Sequence, residues 1–195
     1  MTSELLSDIG ICLNDRQTTV FTSLLSWISY TPDKYNVKSS CGMSIVIVPL
    51  CKSRVYQFYL SESTFQKIQT NLQIIQSIDG FVKILDLYPE FNTIVYEKIE
   101  PIIDILTNDN VKFKVKETVD VKRLMNDVFQ LLVDMKSKNL CHRDLTLDNI
   151  GYSKLKDKYL VYDFETIAID KELAYQNKDM YTFIESIKFH ELVKL

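Results

Sequence analysis

Three side chains between residues 142 and 165 have the types and spacing to act together on one reaction. The segment reads His142-Arg143-Asp144-Leu145-Thr146-Leu147-Asp148-Asn149, followed after a short interval by Tyr162-Asp163-Phe164-Glu165. Asp144 is a carboxylate able to orient an attacking hydroxyl. Asn149, five residues on, and Asp163, fourteen beyond that, carry the hard oxygen donors that a small divalent cation takes. The set suits transfer of a group to a hydroxyl with the help of a metal ion. A surface loop rich in Asp and Arg would offer the same residue types for ordinary ion pairs, but would require neither this order nor this spacing.

For these groups to meet, the flanking chain must fold back on itself. Val121 to Leu140 predicts an amphipathic helix, with Val121, Leu124, Val128, Leu131, Leu132 and Met135 mostly at steps of three and four. It closes on Lys136-Ser137-Lys138-Asn139, where the helix C-terminus favours cations and Asn tolerates a left-handed cap. Asn149–Tyr152 and Tyr159–Tyr162 predict two short strands joined by the polar turn Ser153–Lys158. The second strand would deliver Asp163 beside Asn149.

The His-Arg-Asp tripeptide, the Asn and the Asp-Phe dipeptide together resemble the catalytic core of the protein-kinase superfamily. The resemblance implies an α+β, two-lobed fold with a small β-rich N-lobe, a truncated helical C-lobe and a shared cleft, using ATP and Mg2+. It implies that Asp144 orients the nucleophile, within a catalytic loop that includes His142, Arg143 and Thr146. Asn149 and Asp163 would be the metal ligands. The expected division is an N-terminal helical extension over 1–35, the N-lobe over 36–99 and the C-lobe over 100–195. In the extension, Leu5 to Leu13 and Val20 to Ile28 predict two short helices ending before Thr31-Pro32. They would pack on the domain, or else present a partner or membrane face anchored by Trp27.

In the N-lobe, Met43–Leu50, Arg54–Leu60, Phe81–Leu85 and Asn92–Tyr96 predict strands, and Ser61–Ile78 a helix capped by Ser61. Glu97-Lys98-Ile99 falls where the family places its adenine-binding hinge, so the backbone at Glu97 and Ile99 would meet the base. Ser39-x-Cys41-x-x-Ser44-x-Val46 can be laid over the family's glycine-rich phosphate loop, or read as an ordinary approach to a strand. Gln57 stands where the family has its phosphate-contacting lysine, and Asn71 near that lysine's glutamate partner. Lys38, Lys52 and Lys67 are the candidates to replace the lost charge. Thr146 stands where serine/threonine kinases carry lysine.

Downstream, 174–195 predicts a helix whose early Asp179 would accept hydrogen bonds from the His-Arg-Asp backbone. Thr166 and Tyr175 are the hydroxyl residues of the short intervening segment. The resemblance implies a C-lobe without the later helices of a full kinase, and such a trimmed plan looks like the minimal kinases of pathogen effectors and large DNA viruses.

Composition narrows the class further. The 195 residues carry a net charge of −3, which argues against an electrostatic nucleic-acid binder. No apolar run approaches the ~20 residues that a membrane span requires. The first residues lack a secretory pattern, and the four cysteines have no paired metal-binding spacing. A reduced, cytoplasmic setting is expected, with a host cell's cytoplasm as one version of it. Three functions remain open: a minimal atypical protein kinase transferring the ATP γ-phosphate to Ser or Thr, a pseudokinase acting on a regulatory protein partner, and a small-molecule phosphotransferase. The Asp163-Phe164-Glu165 ending favours the last. The 45 residues from Glu97 to His142 suit a protein kinase better.

Overall fold

A computed structural model describes residues 2–40, 42–108, 110–116, 118–169 and 174–190, with backbone alone over 104–114 and 174–176. The chain divides into two compact units, Met1–Thr70 with Lys83–Lys98 and Asn71–Val82 with Ile99–Leu195.

The first unit opens with helices α1 (Thr2–Asp8) and α2 (Asp15–Trp27). Asn14 caps α2 through a reciprocal box, accepting from the Gln17 amide while Gln17 Oε1 accepts from its own. Strands β1 (Tyr35–Ser40), β2 (Ser44–Pro49) and β3 (Arg54–Tyr59) follow, then helix α3 (Glu62–Gln76), β4 (Ile84–Tyr88) and β5 (Thr93–Glu97). The strands form one antiparallel sheet in the order β1-β2-β3-β5-β4.

Strand alternation sorts the sheet's two faces. Ile45, Ile47, Tyr56, Phe58 and Val95 are buried in one core cluster with Phe21, Leu24 and Leu25 of α2. Each such side chain contributes about 1.5–3 kcal/mol of burial. The N-terminal residues are therefore a packed extension. Trp27 is half-exposed, yet its ring lies 4.4 Å from that of Tyr88 and 5.7 Å from that of Phe91. Around the expected phosphate loop, β1 and β2 pair as a hairpin from Tyr35↔Pro49 to Ser40↔Ser44. Gly42 in its turn takes φ 71°, which favours glycine.

The second unit holds β6 (Glu100–Pro101), β7 (Ile103–Asn108), β8 (Asn110–Val115), α4 (Val121–Ser137), β9 (Leu140–Cys141), β10 (Ile150–Ser153), β11 (Lys158–Val161), β12 (Ala168–Ile169) and α5 (Ala174–Phe189). The α4 pattern translates into burial of Leu124, Val128, Leu131 and Met135, and Asn139 closes the helix at φ 52°. Gly80 lies so close to α4 that an added Cβ would sit 2.7 Å from Leu131 Cβ. The strand expected from Phe81 begins only at Ile84; Phe81 makes a single parallel bridge to Val161 and puts its ring into this unit's interior. The β7–β8 hairpin was not anticipated. In α5, Phe183 and Ile187 are buried, whereas Phe189 is exposed and Leu192 lies outside the described residues. Among the described residues, no helix is long and apolar enough to cross a membrane.

Candidate active site

The loop from His142 to Asn149 leaves the short strand β9, and side-chain acceptors on α5 hold its backbone N–H groups. Asp179, in the second turn of α5 and fully buried, accepts from the His142 N–H at 2.7 Å and the Arg143 N–H at 2.6 Å. Those bonds hold Arg143 at φ 72°, a conformation that costs a side-chain-bearing residue about 1–3 kcal/mol. Farther along α5, Ser186 Oγ accepts from the Leu147 N–H at 3.0 Å. Leu145 and Leu147 are fully buried, and Asp144 between them and the loop entry is exposed. Alternation thus seats the loop on two leucines and turns its carboxylate outward.

His142 is completely buried, its ring stacked at 6.3 Å on Phe81. Burial draws its pKa down to about 4, so the imidazole is neutral near pH 7. Its Nε2 lies 3.2 Å from the Tyr162 carbonyl, which selects the tautomer with the proton on Nε2. Thr166 Oγ1 donates to the His142 carbonyl at 2.5 Å. Histidine here ties its loop to Asp179, Tyr162 and Thr166 and is not placed to exchange protons with a substrate. Burial also raises the Asp179 carboxyl, to about 6, against the lowering effect of its two backbone donors.

Asn149 closes a single 3-10 turn, Leu147–Asn149, preceded by Thr146. Its Nδ2 donates to the Asp144 carbonyl at 2.9 Å and to Asp144 Oδ2 at 3.1 Å. The amide nitrogen is thereby committed to Asp144, which orients the carboxylate and leaves the amide oxygen as the ligand atom for a cation. Asp163 reaches the same neighbourhood through strand register. Strands β10 and β11 pair Ile150 with Val161, and the adjacent Tyr162 N–H donates to the Asn149 carbonyl at 2.9 Å. Asp163 follows at φ 68° and accepts weakly from the Glu165 N–H at 3.4 Å. Phe164 is fully buried and meets Phe81 edge-on at 5.8 Å.

The second unit therefore gathers His142, Arg143, Asp144, Thr146, Asn149 and Asp163 within one loop-and-hairpin assembly. Magnesium needs one or two side-chain oxygens and takes the rest of its shell from water and substrate phosphates. Asn149 and Asp163 have the donor atoms for that. Among the described residues, no group of three or more His, Cys, Asp or Glu is placed to cage a metal without a substrate.

The other residues singled out in the sequence lie elsewhere. Gln57 belongs to the first unit, 2% exposed on β3, donating from Nε2 to Ser44 Oγ at 3.0 Å. Asn71 is buried in the second unit. Glu97 ends β5; its N–H donates to the Lys83 carbonyl at 2.9 Å and its carboxylate accepts from the Lys83 N–H at 3.1 Å. Ile99 begins the second unit and packs on Gly151, where an added Cβ would meet Ile99 Cδ1 at 2.6 Å. Cys141 is buried and directs Sγ to the Ala168 carbonyl at 3.3 Å, which makes it a core residue. Cys41 and the Tyr175 side chain lie outside the described residues. Phe81 and Ser186 escaped the sequence reading, because neither carries any local mark of a contact with the loop.

No protein-family model matches the chain, and no curated protein does. Among solved structures it is similar to the PK-1 kinase of Cydia pomonella granulovirus, at 17% identity and a TM-score of 0.47. That match covers 76% of this chain, which spans 60% of the viral kinase. A likeness of this extent assigns no residue a role, and the functional reading rests on the loop itself.

Proposed function

We propose that the chain is a minimal, kinase-like phosphotransferase that moves the γ-phosphate of ATP, as its magnesium complex, to a Ser or Thr hydroxyl of a protein. The observation that supports this most is the Asn149 amide bonded to both the carbonyl and the carboxylate of Asp144, in a loop whose backbone is fixed by Asp179. Phosphoryl transfer asks for little covalent work from the protein and much positioning. In this reading Asp144 receives the hydroxyl's hydrogen bond and aligns its oxygen with the γ-phosphorus. Asn149 and Asp163 hold magnesium, which neutralises charge on the phosphate oxygens. His142, Arg143 and Thr146 keep the loop's shape, and the backbone at Glu97 and Ile99 receives the adenine. A cytoplasmic setting, where MgATP is abundant, belongs to the same proposal.

The test is phosphate transfer from labelled ATP by the purified chain, to itself or to a generic protein substrate. Wild type should give a magnesium-dependent signal, and Asp144→Ala should lose at least ~10² of it. Equal signals from the two proteins would refute the assignment.

A second reading, a pseudokinase that binds a regulatory protein, is favoured by one feature: Gln57 forms a buried, neutral pair with Ser44 where a cation would be needed. Thermal melting with and without millimolar MgATP separates the two. A nucleotide-dependent rise in Tm supports the enzyme, and no rise supports the binding module.

A further inference from the structure

Tyr162 is the last residue before Asp163 and makes three hydrogen bonds to the loop from His142 to Asn149. Its N–H donates to the Asn149 carbonyl at 2.9 Å, one step past the Ile150↔Val161 pair that ends the β10–β11 ladder. Its phenol donates to the Asp148 carbonyl at 2.5 Å. Its own carbonyl lies 3.2 Å from His142 Nε2, at the start of the loop. The Asp148 and Asn149 carbonyls belong to the two peptide planes that flank the Asn149 Cα. Planes held on both sides leave that residue's backbone little freedom to rotate.

The Asn149 side chain is held separately, by Nδ2 on the carbonyl and the carboxylate of Asp144. Backbone and side chain together then fix where the amide oxygen points. On the other strand, Asp163 is joined to Tyr162 by a single peptide bond. One residue thus ties both oxygen donors, 14 positions apart in the chain, into one frame. The hairpin alone would hold them less firmly. Asn149 and Asp163 both lie beyond the last pair of the ladder, and the open end of a short ladder frays.

The phenol is the part of this tie that depends on residue type. The backbone N–H and carbonyl belong to any residue except proline, and phenylalanine would fill the same space. Asp148 is exposed, so water could serve its carbonyl in the hydroxyl's place. The hydroxyl therefore contributes position rather than rescue of a buried acceptor.

We propose that Tyr162 is a positioning residue for the candidate metal site, its phenol holding Asn149 so that the Asn149 amide oxygen and the Asp163 carboxylate meet the same cation. This rests on the phosphotransferase reading, in which those two side chains hold magnesium. It adds to that reading a residue outside the His-Arg-Asp, Asn and Asp-Phe pattern. Groups that orient a metal ligand without touching the metal typically change its affinity by about 10–100-fold when removed.

The experiment measures equilibrium binding of ATP to wild type and to Tyr162→Phe, once with excess Mg2+ and once with EDTA. The Tm of both proteins and the magnesium dependence of phosphate transfer are followed in parallel. Tyr162→Phe should weaken MgATP about tenfold and metal-free ATP less than about twofold. The magnesium concentration for half-maximal transfer should rise by a similar factor, with the rate at saturating magnesium within about threefold of wild type. Its Tm should stay within about 3 °C of wild type, as one solvent-accessible hydrogen bond is lost. If wild type transfers phosphate and Tyr162→Phe matches it in MgATP affinity and magnesium dependence, Tyr162 has no positioning role while the phosphotransferase reading stands. An equal loss of MgATP and metal-free ATP, or a larger fall in Tm, would mark the phenol as structural and overturn the proposal too. If wild type neither gains affinity from magnesium nor transfers phosphate, the reading and the proposal fall together.

Discussion

Removing the Asp179 carboxylate should loosen the candidate catalytic loop at two identifiable amides. The side chain is fully buried and takes hydrogen bonds of 2.7 and 2.6 Å from His142 and Arg143. Asp179→Ala leaves both N–H groups inside the protein without an acceptor, at about 1–3 kcal/mol each. A partial offset comes from the carboxylate itself. Its pKa of about 6, against 3.8 ordinarily, means that holding it ionised near pH 7 costs about 3 kcal/mol relative to its protonated form. Loss of the side chain relieves some of that, so the expected net destabilisation is about 2–3 kcal/mol. For a chain of this size, that is a fall in Tm of roughly 5–10 °C. Asp179→Asn should cost a similar amount for a different reason: its amide oxygen can accept from one N–H, but its NH2 then faces the other donor. Because the chain divides into two units, amide exchange is the sharper assay. The His142 and Arg143 amides should lose protection by at least tenfold in either variant, while amides of the first unit's sheet keep theirs. A Tm within 2 °C of wild type, or unchanged exchange at both amides, would refute the claim that Asp179 fixes the loop.

Two further consequences concern acid and packing. The folded pKa of His142, about 4, lies below its ordinary 6.5, so its contribution to stability is present above 6.5 and is lost as pH falls through 4. Asp179 runs the other way: with a folded pKa of about 6 above an ordinary 3.8, its contribution is present below 3.8 and is lost as pH rises through 6. Each amounts to about 3 kcal/mol, and in wild type they largely cancel between pH 4 and 6.5. Asp179→Asn removes one of the pair, so urea unfolding should show this variant losing about 3 kcal/mol more than wild type between pH 6.5 and 4; equal losses would mean that the opposition is absent. Gly80→Ala should destabilise by about 1–3 kcal/mol, since the new methyl would sit 2.7 Å from Leu131 Cβ on a buried face of α4. Chemical denaturation checks this, and a neutral result would show that α4 can shift at no cost.

Local patterns written along the chain were readable without coordinates. The 3.6-residue period of α4 identified four of its buried residues, and Lys138-Asn139 marked its end, because a helix terminus depends on neighbours a turn away. The delivery of Asp163 beside Asn149 by a second strand was readable as well, since a hairpin of fixed length converts sequence separation into proximity. Other signals were present and passed over. Val111-Lys112-Phe113-Lys114-Val115 alternates with period two, which is the signature of the β8 strand.

What the chain could not disclose by itself depended on contacts between distant residues. Phe81 looked like the start of a strand because its neighbours are apolar, and only packing turned it onto His142. Ser186 gave no hint of its bond to Leu147, 39 residues away. The protonation behaviour of His142 and Asp179 came from burial, a property of the assembled interior that no residue carries alone. Tyr162 shows the division most plainly: its place beside Asp163 was legible, but its bond to the Asp148 carbonyl, 14 residues away, follows from the folded hairpin. Sequence determines which groups are available and which local shapes they favour; tertiary structure decides which of them meet, because strand pairing and desolvation act between segments that the linear order keeps apart.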